Sequence, residues 1–143
     1  MISLVIDTNV FVAALKSGGG AARQMVRLCL SRHYEPLFSA ALFAEYEELL
    51  DGPAMRTSAL SVVERREVLA ALAATGRWVH VYFAWRPNLP DEDDNYLIEL
   101  AIAGGAAAVV TYDTRDLRRG ELKFTGLRIL TPAECLREFP CPP

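Results

Sequence analysis

The chain has 143 residues, which is enough for one domain with a substantial core and too few for two ordinary domains. Its residues are 52% hydrophobic and 23% charged, a balance typical of a folded globular protein rather than a disordered one. The formal net charge of −3 neither supports nor excludes a polyanionic ligand, because net charge averages over any local site.

The sequence shows no membrane or export signal. No apolar run approaches the roughly 18 residues needed to span a bilayer, and the short apolar start has no basic region before it. We therefore expect a cytoplasmic protein without membrane contact. The three cysteines are an odd number without a C-x-x-C pair, which argues against a disulfide framework or a zinc site.

Two apolar segments end in an aspartate. Residues 2–6 form a buried strand pattern that stops at Asp7, and residues 108–113 repeat the arrangement and end at Asp113. Ligands of open α/β sheets bind at the carboxyl ends of the strands. If the two strands lie parallel in one sheet, both aspartates lie at the same edge.

Strand patterns alternate with helical patterns along the whole chain. This order predicts a three-layer α/β/α domain over residues 1–138, with a central, mainly parallel sheet of four to five strands and a short Pro-rich tail at 139–143. We expect Thr8 and Asn9 to cap a helix over 10–15, and Pro36 to confine the strand at 34–38 to an edge or a strand start. A third strand is predicted at 78–83 and a last one at 127–130.

The helix predicted at 40–50 carries three glutamates beside its apolar stripe. Glu48 falls opposite the stripe and should be solvated, whereas Glu45 and Glu47 flank the stripe on opposite sides. Periodicity alone does not choose between Glu45 and Glu47 as a site residue.

An acidic cluster at residues 91–94 opens a later helix, which is predicted to run to about residue 103. Carboxylates there commonly complement the helix dipole, which accounts for one or two of them. Asp94 differs, because Leu97, Ile98 and Ala101 continue its helical face and place its carboxylate above a buried stripe. A carboxylate in that position is costly unless it is paired or binds a cation.

Four acidic residues on separate predicted elements could therefore converge at one end of the sheet: Asp7, Glu45, Asp94 and Asp113. Their mutual repulsion calls for a cation between them, and all-oxygen ligation favours one or two Mg²⁺ or Mn²⁺ ions. Ions held by carboxylates suit phosphodiester hydrolysis.

The sequence resembles the PIN-domain family in several motifs that occur in the family's order along nearly the whole chain. These are Asp7-Thr8-Asn9-Val10, Ser39-x-x-Leu42-x-x-Glu45, Asp91-x-Asp93-Asp94-Asn95 with Leu97-Ile98-Glu99-x-Ala101, Val110-Thr111-x-Asp113-x-x-Asp116-Leu117 and Ile129-Leu130-Thr131-Pro132. The set in order is far more specific than any one motif.

The resemblance implies a metal-dependent endoribonuclease, of the kind that often acts as the toxin of a bacterial toxin–antitoxin pair and is silenced by a small antitoxin protein. It implies that Asp7, Glu45, Asp94 and Asp113 are the catalytic metal ligands, which selects Glu45 over Glu47. Homodimers are common among relatives, and the apolar helices here are compatible with one.

The resemblance also implies supporting roles. Asn9 and Thr111 would hold the carboxylates in place. The acidic motif is dense, so Asp93 or Asn95 could instead share or replace the role of Asp94, whereas Asp116 is expected to orient a neighbour or cap a turn rather than to bind the metal directly. Tyr112 departs from the pattern, since relatives often have a small residue there.

A basic segment follows Asp113 and is the candidate surface for RNA. Its members are Arg115, Arg118, Arg119 and Lys123. An ordinary solvated loop is the alternative interpretation of this segment.

Two other functions compete with the ribonuclease. The first is a catalytically silent PIN-fold module that binds a protein or RNA partner, against which the presence of all four carboxylates argues. The second is phosphoryl transfer through an aspartyl-phosphate at Asp7, as in haloacid-dehalogenase-like enzymes. Those enzymes have an aspartate where this chain has Asn9, and we find no suitably placed lysine.

Overall fold

The computed structural model describes residues 1–16, 20–81, 95–115, 117 and 127–141, apart from the side chain of Asn95. Its elements in chain order are β1 (Ile2–Ile6), α1 (Thr8–Lys16), α2 (Ala21–Leu30), β2 (Tyr34–Phe38), α3 (Ala40–Leu49), a short 3-10 helix (Pro53–Thr57), α4 (Val62–Thr75), β3 (Arg77–Trp78), α5 (Asn95–Gly104), β4 (Ala108–Val110), β5 (Arg128–Leu130) and α6 (Pro132–Glu138).

The strands form a five-stranded sheet in the order β3-β2-β1-β4-β5, and every pairing is parallel. Strand β1 lies at the centre, where Leu4 and Val5 are fully buried. Helices flank the sheet. The predicted α/β fold with a parallel sheet of four to five strands is therefore confirmed.

The central register puts two predicted strand ends side by side. Ile6, the last residue of β1, pairs with Val110, the last residue of β4. Because the two strands are parallel, the residues that follow them, Asp7 and Thr111, emerge from the same edge of the sheet. We call this the carboxyl edge.

Pro36 lies in an interior strand, so confinement of β2 to an edge or a strand start was wrong. Strand β2 pairs with β1 through residues 34–36 and with β3 only through Leu37 and Phe38. The pairing with β3 thus begins after the residue that lacks an N–H group. Gly76 permits the approach of β3, since a Cβ atom there would lie 2.4 Å from the carbonyl oxygen of Pro36.

Other boundaries differ from those predicted. Thr8 and Asn9 lie inside α1 rather than before it, and β4 ends at Val110 rather than at Asp113. Strand β3 holds only Arg77 and Trp78, residues 79–81 are not in a strand, and residues 82 and 83 lie outside the described part. The aromatic composition of residues 78–83 predicts a longer strand, but β3 pairs with β2 only through Arg77 and Trp78.

The helix starts follow from local sequence. Ser39 caps α3 by accepting a hydrogen bond from the backbone N–H of Leu42. Ser61 and Glu64 form a complete capping box at α4, and Thr131 with Glu134 forms another at α6. In the described part of the chain, no helix is long and apolar enough to cross a membrane.

Candidate active site

Asp7 joins three elements at the carboxyl edge. Its backbone N–H donates to the carbonyl oxygen of Val110 at 2.9 Å, which extends the β1–β4 pairing by one residue. Its own carbonyl oxygen accepts from the backbone N–H of Val10 at 3.1 Å in the first turn of α1. The position of the Asp7 side chain is therefore fixed by the sheet on one side and a helix start on the other.

Both carboxylate oxygens of Asp7 accept hydrogen bonds. Oδ1 accepts from the backbone N–H of Thr8 at 2.7 Å, and Oδ2 accepts from the hydroxyl of Thr111 at 2.7 Å. Only 8% of the Asp7 surface is exposed. The carboxylate is thus held in one orientation and largely removed from solvent.

Thr111 is fully buried, and its hydroxyl joins three neighbours. It donates to Asp7 and accepts from the side-chain amide of Asn9 at 3.2 Å and from the backbone N–H of Asp113 at 3.0 Å. One donor and two acceptor positions use the full capacity of a hydroxyl group. We call Asp7, Asn9, Thr111 and Asp113 the threonine hub.

Asn9 also holds the loop that carries Asp113. Its side-chain carbonyl oxygen accepts a hydrogen bond from the backbone N–H of Tyr112 at 3.2 Å. The amide of Asn9 therefore contacts both the hydroxyl of Thr111 and the backbone of the next residue. The start of α1 and the end of β4 are bound to each other directly.

The hub concentrates negative charge. Burial raises the pKa of the Asp7 carboxyl above its ordinary value of 3.8, and the nearby charge of Asp113 raises it further. The hydrogen bonds from Thr111 and Thr8 act in the opposite direction and lower it. Asp113 is exposed, so the pair consists of one buried carboxylate and one that faces solvent.

Helix α3 is attached to the residue just before Asp7. Tyr46 is buried, and its hydroxyl donates to the carbonyl oxygen of Ile6. Glu45 is the preceding residue on α3 and is exposed. Glu47 and Glu48 are exposed as well, so burial does not distinguish Glu45 from its neighbours.

Sequence reasoning missed this attachment of α3. The apolar stripe of the helix at 40–50 includes Tyr46 and predicts its burial, but not this contact, although a buried tyrosine hydroxyl normally needs a partner. That requirement was the one signal that pointed to a contact with a backbone carbonyl. No comparable feature of the sequence predicts the hydrogen bond from the backbone N–H of Tyr112 to the side chain of Asn9.

Several predicted site residues lie outside the described residues: Asp93, Asp94, Asp116, Arg118, Arg119 and Lys123. The side chain of Asn95 is likewise not described. The stripe that Asp94 was predicted to continue is present, because Leu97, Ile98 and Ala101 are all buried. Arg115 is described and exposed.

Within the described ranges, the acidic, histidine and cysteine side chains do not gather in any group of three or more that could hold a metal ion. The described residues bring Asp7 and Asp113 together with two polar neighbours, Asn9 and Thr111. Carboxylate oxygens are the ligands that hard divalent cations such as Mg²⁺ and Mn²⁺ prefer, so this donor set fits such an ion.

Comparison with known families decides the classification. The sequence matches the family described as the PIN domain over residues 3–115, which is most of the chain and includes all of the threonine hub. The chain belongs to the PIN-domain family. A comparison with curated proteins gave no match.

The fold of this PIN domain is also found among solved structures. A structure of VapBC2 from Rickettsia felis, bound to a DNA fragment from their promoter, is similar with a TM-score of 0.60 at 13% identity. The match covers 90% of this chain and 97% of the other. At this identity the similarity shows a shared fold.

Proposed function

We propose that this PIN domain is a metal-dependent endoribonuclease that hydrolyses RNA phosphodiesters. The observation that carries the proposal is the threonine hub, in which one buried hydroxyl binds the carboxylate of Asp7 and the backbone of Asp113. The charge of Asp113 raises the pKa of the Asp7 carboxyl, which means that the two carboxylates repel each other, and a divalent cation relieves that repulsion. Membership of the PIN-domain family supports the same conclusion.

In this proposal Asp7, Glu45, Asp94 and Asp113 hold one or two Mg²⁺ or Mn²⁺ ions. When bound, such an ion supplies an activated water and stabilises charge on the leaving oxygen. The protein's own contribution is orientation: Thr111 and Asn9 fix the direction of the Asp7 carboxylate and the loop of Asp113 before any ligand arrives. Asp93, Asn95 and Asp116 are proposed to support the same group.

RNA would approach from the carboxyl edge, where Asp113 and Arg115 are exposed. Arg115 lies two residues beyond Asp113, at a position suited to a neighbouring backbone phosphate. We propose that Arg118, Arg119 and Lys123 extend this contact. The net charge of −3 does not oppose it, because cations bound by the carboxylates change the local balance.

We further propose that the chain is the toxin of a cytoplasmic toxin–antitoxin pair, inhibited by a small antitoxin protein. The support is its membership of the PIN-domain family and its fold similarity to the VapBC2 structure. The test is to co-express the chain with the product of the adjacent upstream gene. Growth arrest that this product relieves, together with co-purification of the two proteins, is the expected result.

The nuclease is tested with purified protein and a mixed RNA substrate in Mg²⁺, in Mn²⁺ and in chelator. We expect cleavage in the metals only, and its loss in Asp7→Asn. Asp51→Asn is the matched control, since Asp51 is exposed just beyond the end of α3. Cleavage by Asp7→Asn at the wild-type rate contradicts the proposal.

The absence of cleavage under every condition would favour the silent binding module instead. Melting in the presence and absence of metal then separates the two interpretations. A metal-dependent rise in melting temperature indicates a working site whose RNA was not in the mixture, whereas no rise indicates that the site holds no ion.

A further inference from the structure

Two exposed aromatic side chains lie at the carboxyl edge. In the described part of the chain the large apolar side chains that are exposed are Met1, Leu30, Val63, Trp78 and Tyr112. The two aromatic ones, Trp78 and Tyr112, are 51% and 49% exposed, and both follow or end a strand at this edge. Leu30 instead ends α2, just before β2 begins at the opposite edge.

Tyr112 is held at the mouth of the site. It lies between Thr111 and Asp113, and its backbone N–H is bound by Asn9. The residues on both sides are joined by the hydrogen bond from the Asp113 N–H to the Thr111 hydroxyl. The backbone that carries the ring is therefore rigid, while about half of the residue faces solvent.

The side chain of Trp78 packs against other aromatic rings. Its ring stacks on that of Phe38 at a centroid distance of 5.6 Å and an interplanar angle of 29°, and contacts Phe43 at 5.0 Å. Phe38 in turn packs against Tyr46 at 5.7 Å, and Tyr46 binds the carbonyl oxygen of Ile6. A continuous row of rings thus links the exposed indole to the residue before Asp7.

The strand order puts Asp7 between the two aromatic side chains. Neighbouring strands lie about 4.8 Å apart, so the end of β3 is about 10 Å from the end of β1, and the end of β4 is about 5 Å away on the other side. Trp78 ends β3 in register with Phe38, and Tyr112 follows β4 by two residues. The two strands that carry the aromatic side chains therefore lie on either side of β1 and Asp7.

We infer that Trp78 and Tyr112 are stacking surfaces for two bases of a single-stranded RNA that crosses the carboxyl edge, with a phosphate between them at Asp7 and Asp113. This inference rests on the proposed ribonuclease function and names the form of its substrate. Each ring belongs to a residue that is about half exposed, and an exposed aromatic ring offers a π-face on which a base can stack. Every base has such a face, so the contact tolerates many sequences.

A protein partner fits these two side chains less well. Protein interfaces have a contiguous apolar centre from which charged residues are depleted. Here the strand order places β1, and with it the charge of Asp7, between the strands that carry the two rings. A polymer that alternates planar bases with phosphates matches that spacing of rings and charge.

Binding to defined oligomers tests the inference. In Asp7→Asn protein with Mg²⁺, we would measure the fluorescence anisotropy of a labelled oligouridylate and of an abasic oligomer of equal length. Adding Tyr112→Ala or Trp78→Ala should weaken binding of the oligouridylate about tenfold and leave the abasic oligomer unchanged. Tyr112→Phe and Trp78→Phe should bind like the parent, as should the control Leu30→Ala.

Three outcomes would overturn the inference: equal affinity of the parent for both oligomers, equal weakening of both oligomers by the alanine variants, or an alanine variant that changes the sedimentation of the protein while RNA binding persists. The last result would mark a contact between copies. Cleavage by the otherwise wild-type protein is read separately. Cleavage without base-dependent binding refutes stacking alone, and binding without metal-dependent cleavage refutes the nuclease alone.

Discussion

The Thr111 hydroxyl lies 2.7 Å from Asp7 Oδ2 and 3.0 Å from the backbone nitrogen of Asp113, so one buried group binds the carboxylate of Asp7 and the backbone that carries Asp113. A threonine hydroxyl has no charge of its own to bring to a metal or a phosphate. Its effect is on geometry, which makes it a positioning residue whose loss should be felt at its neighbours.

Thr111→Val replaces the hydroxyl with a methyl group of nearly the same size. We expect RNA cleavage to fall by roughly 10- to 100-fold, as for other partners that orient metal ligands. The free energy of unfolding should also fall by about 1–3 kcal/mol, because Asp7, Asn9 and Asp113 each lose a partner. Thr111→Ser should restore both quantities, and failure of that rescue would contradict a role for the hydroxyl.

The buried carboxylate of Asp7 makes the stability of the metal-free protein depend on pH. Burial, with the charge of Asp113, raises its pKa in the folded state above the ordinary 3.8, so the folded protein holds this proton to higher pH than the unfolded chain does. The stability of the folded state therefore falls as pH rises from about 3.8 through the raised pKa, and stays lower at neutral pH.

Asp7→Asn removes that dependence. In chelator, we expect the variant to melt at a higher temperature than the wild type at pH 7, and the difference to shrink towards pH 4. Thermal melts across this range measure it, with Asp51→Asn as the control. Parallel curves for the wild type and Asp7→Asn would show that burial of the charge has no net cost.

Mg²⁺ or Mn²⁺ should raise the melting temperature of the wild-type protein by relieving the repulsion between Asp7 and Asp113. At a concentration 100 times the dissociation constant, the stabilisation is about 2.7 kcal/mol. Asp7→Asn and Asp113→Asn should each reduce it, whereas Asp51→Asn should not. An equal shift in all four proteins would indicate a cation bound elsewhere.

Cleavage activity, rather than exposure, should distinguish Glu45 from Glu47 and Glu48, which are also exposed. Glu45→Gln should lower cleavage by roughly 100-fold or more, because loss of a ligand exceeds the roughly 10- to 100-fold effect of losing a supporting partner. Glu48→Gln, on the same helix and also exposed, should cleave like the wild type. Equal rates in the two variants would remove Glu45 from the site.

Arg65 stabilises the fold away from the site. It is 8% exposed, and its guanidinium donates to the carbonyl oxygens of Leu50 at 2.6 Å and Leu60 at 2.5 Å. Arg65→Met keeps the apolar stem but leaves both carbonyls without this donor, which we expect to cost about 2–4 kcal/mol in urea unfolding. Cleavage per folded molecule should not change.

Sequence patterns predicted much of the fold because the signals were local. Apolar runs located β1 and β4. What failed depended on pairing: Pro36 lies in an interior strand because β3 begins only opposite Leu37. The predicted length of β3 was wrong for the same reason, since β3 is a strand only where it pairs with β2.

The candidate site was predicted by a different route. The shared edge of Asp7 and Asp113 followed from parallel strands, but periodicity left Glu45 and Glu47 equivalent, and only the family resemblance chose between them. The bond from Tyr46 to Ile6 was not predictable from spacing, since it joins side chain to backbone across 40 positions. Asp94 stays a prediction, as it lies outside the described residues.

The hydrogen bond between Asp7 and Thr111 spans 104 positions of the chain. During synthesis, the first strand and its aspartate leave the ribosome long before the strand that completes the site. A nascent or truncated chain that ends before residue 108 lacks the Thr111 hydroxyl that binds Asp7 Oδ2, and it lacks Asp113. The site that we propose to cleave RNA is therefore assembled only when most of the message that encodes it has been translated.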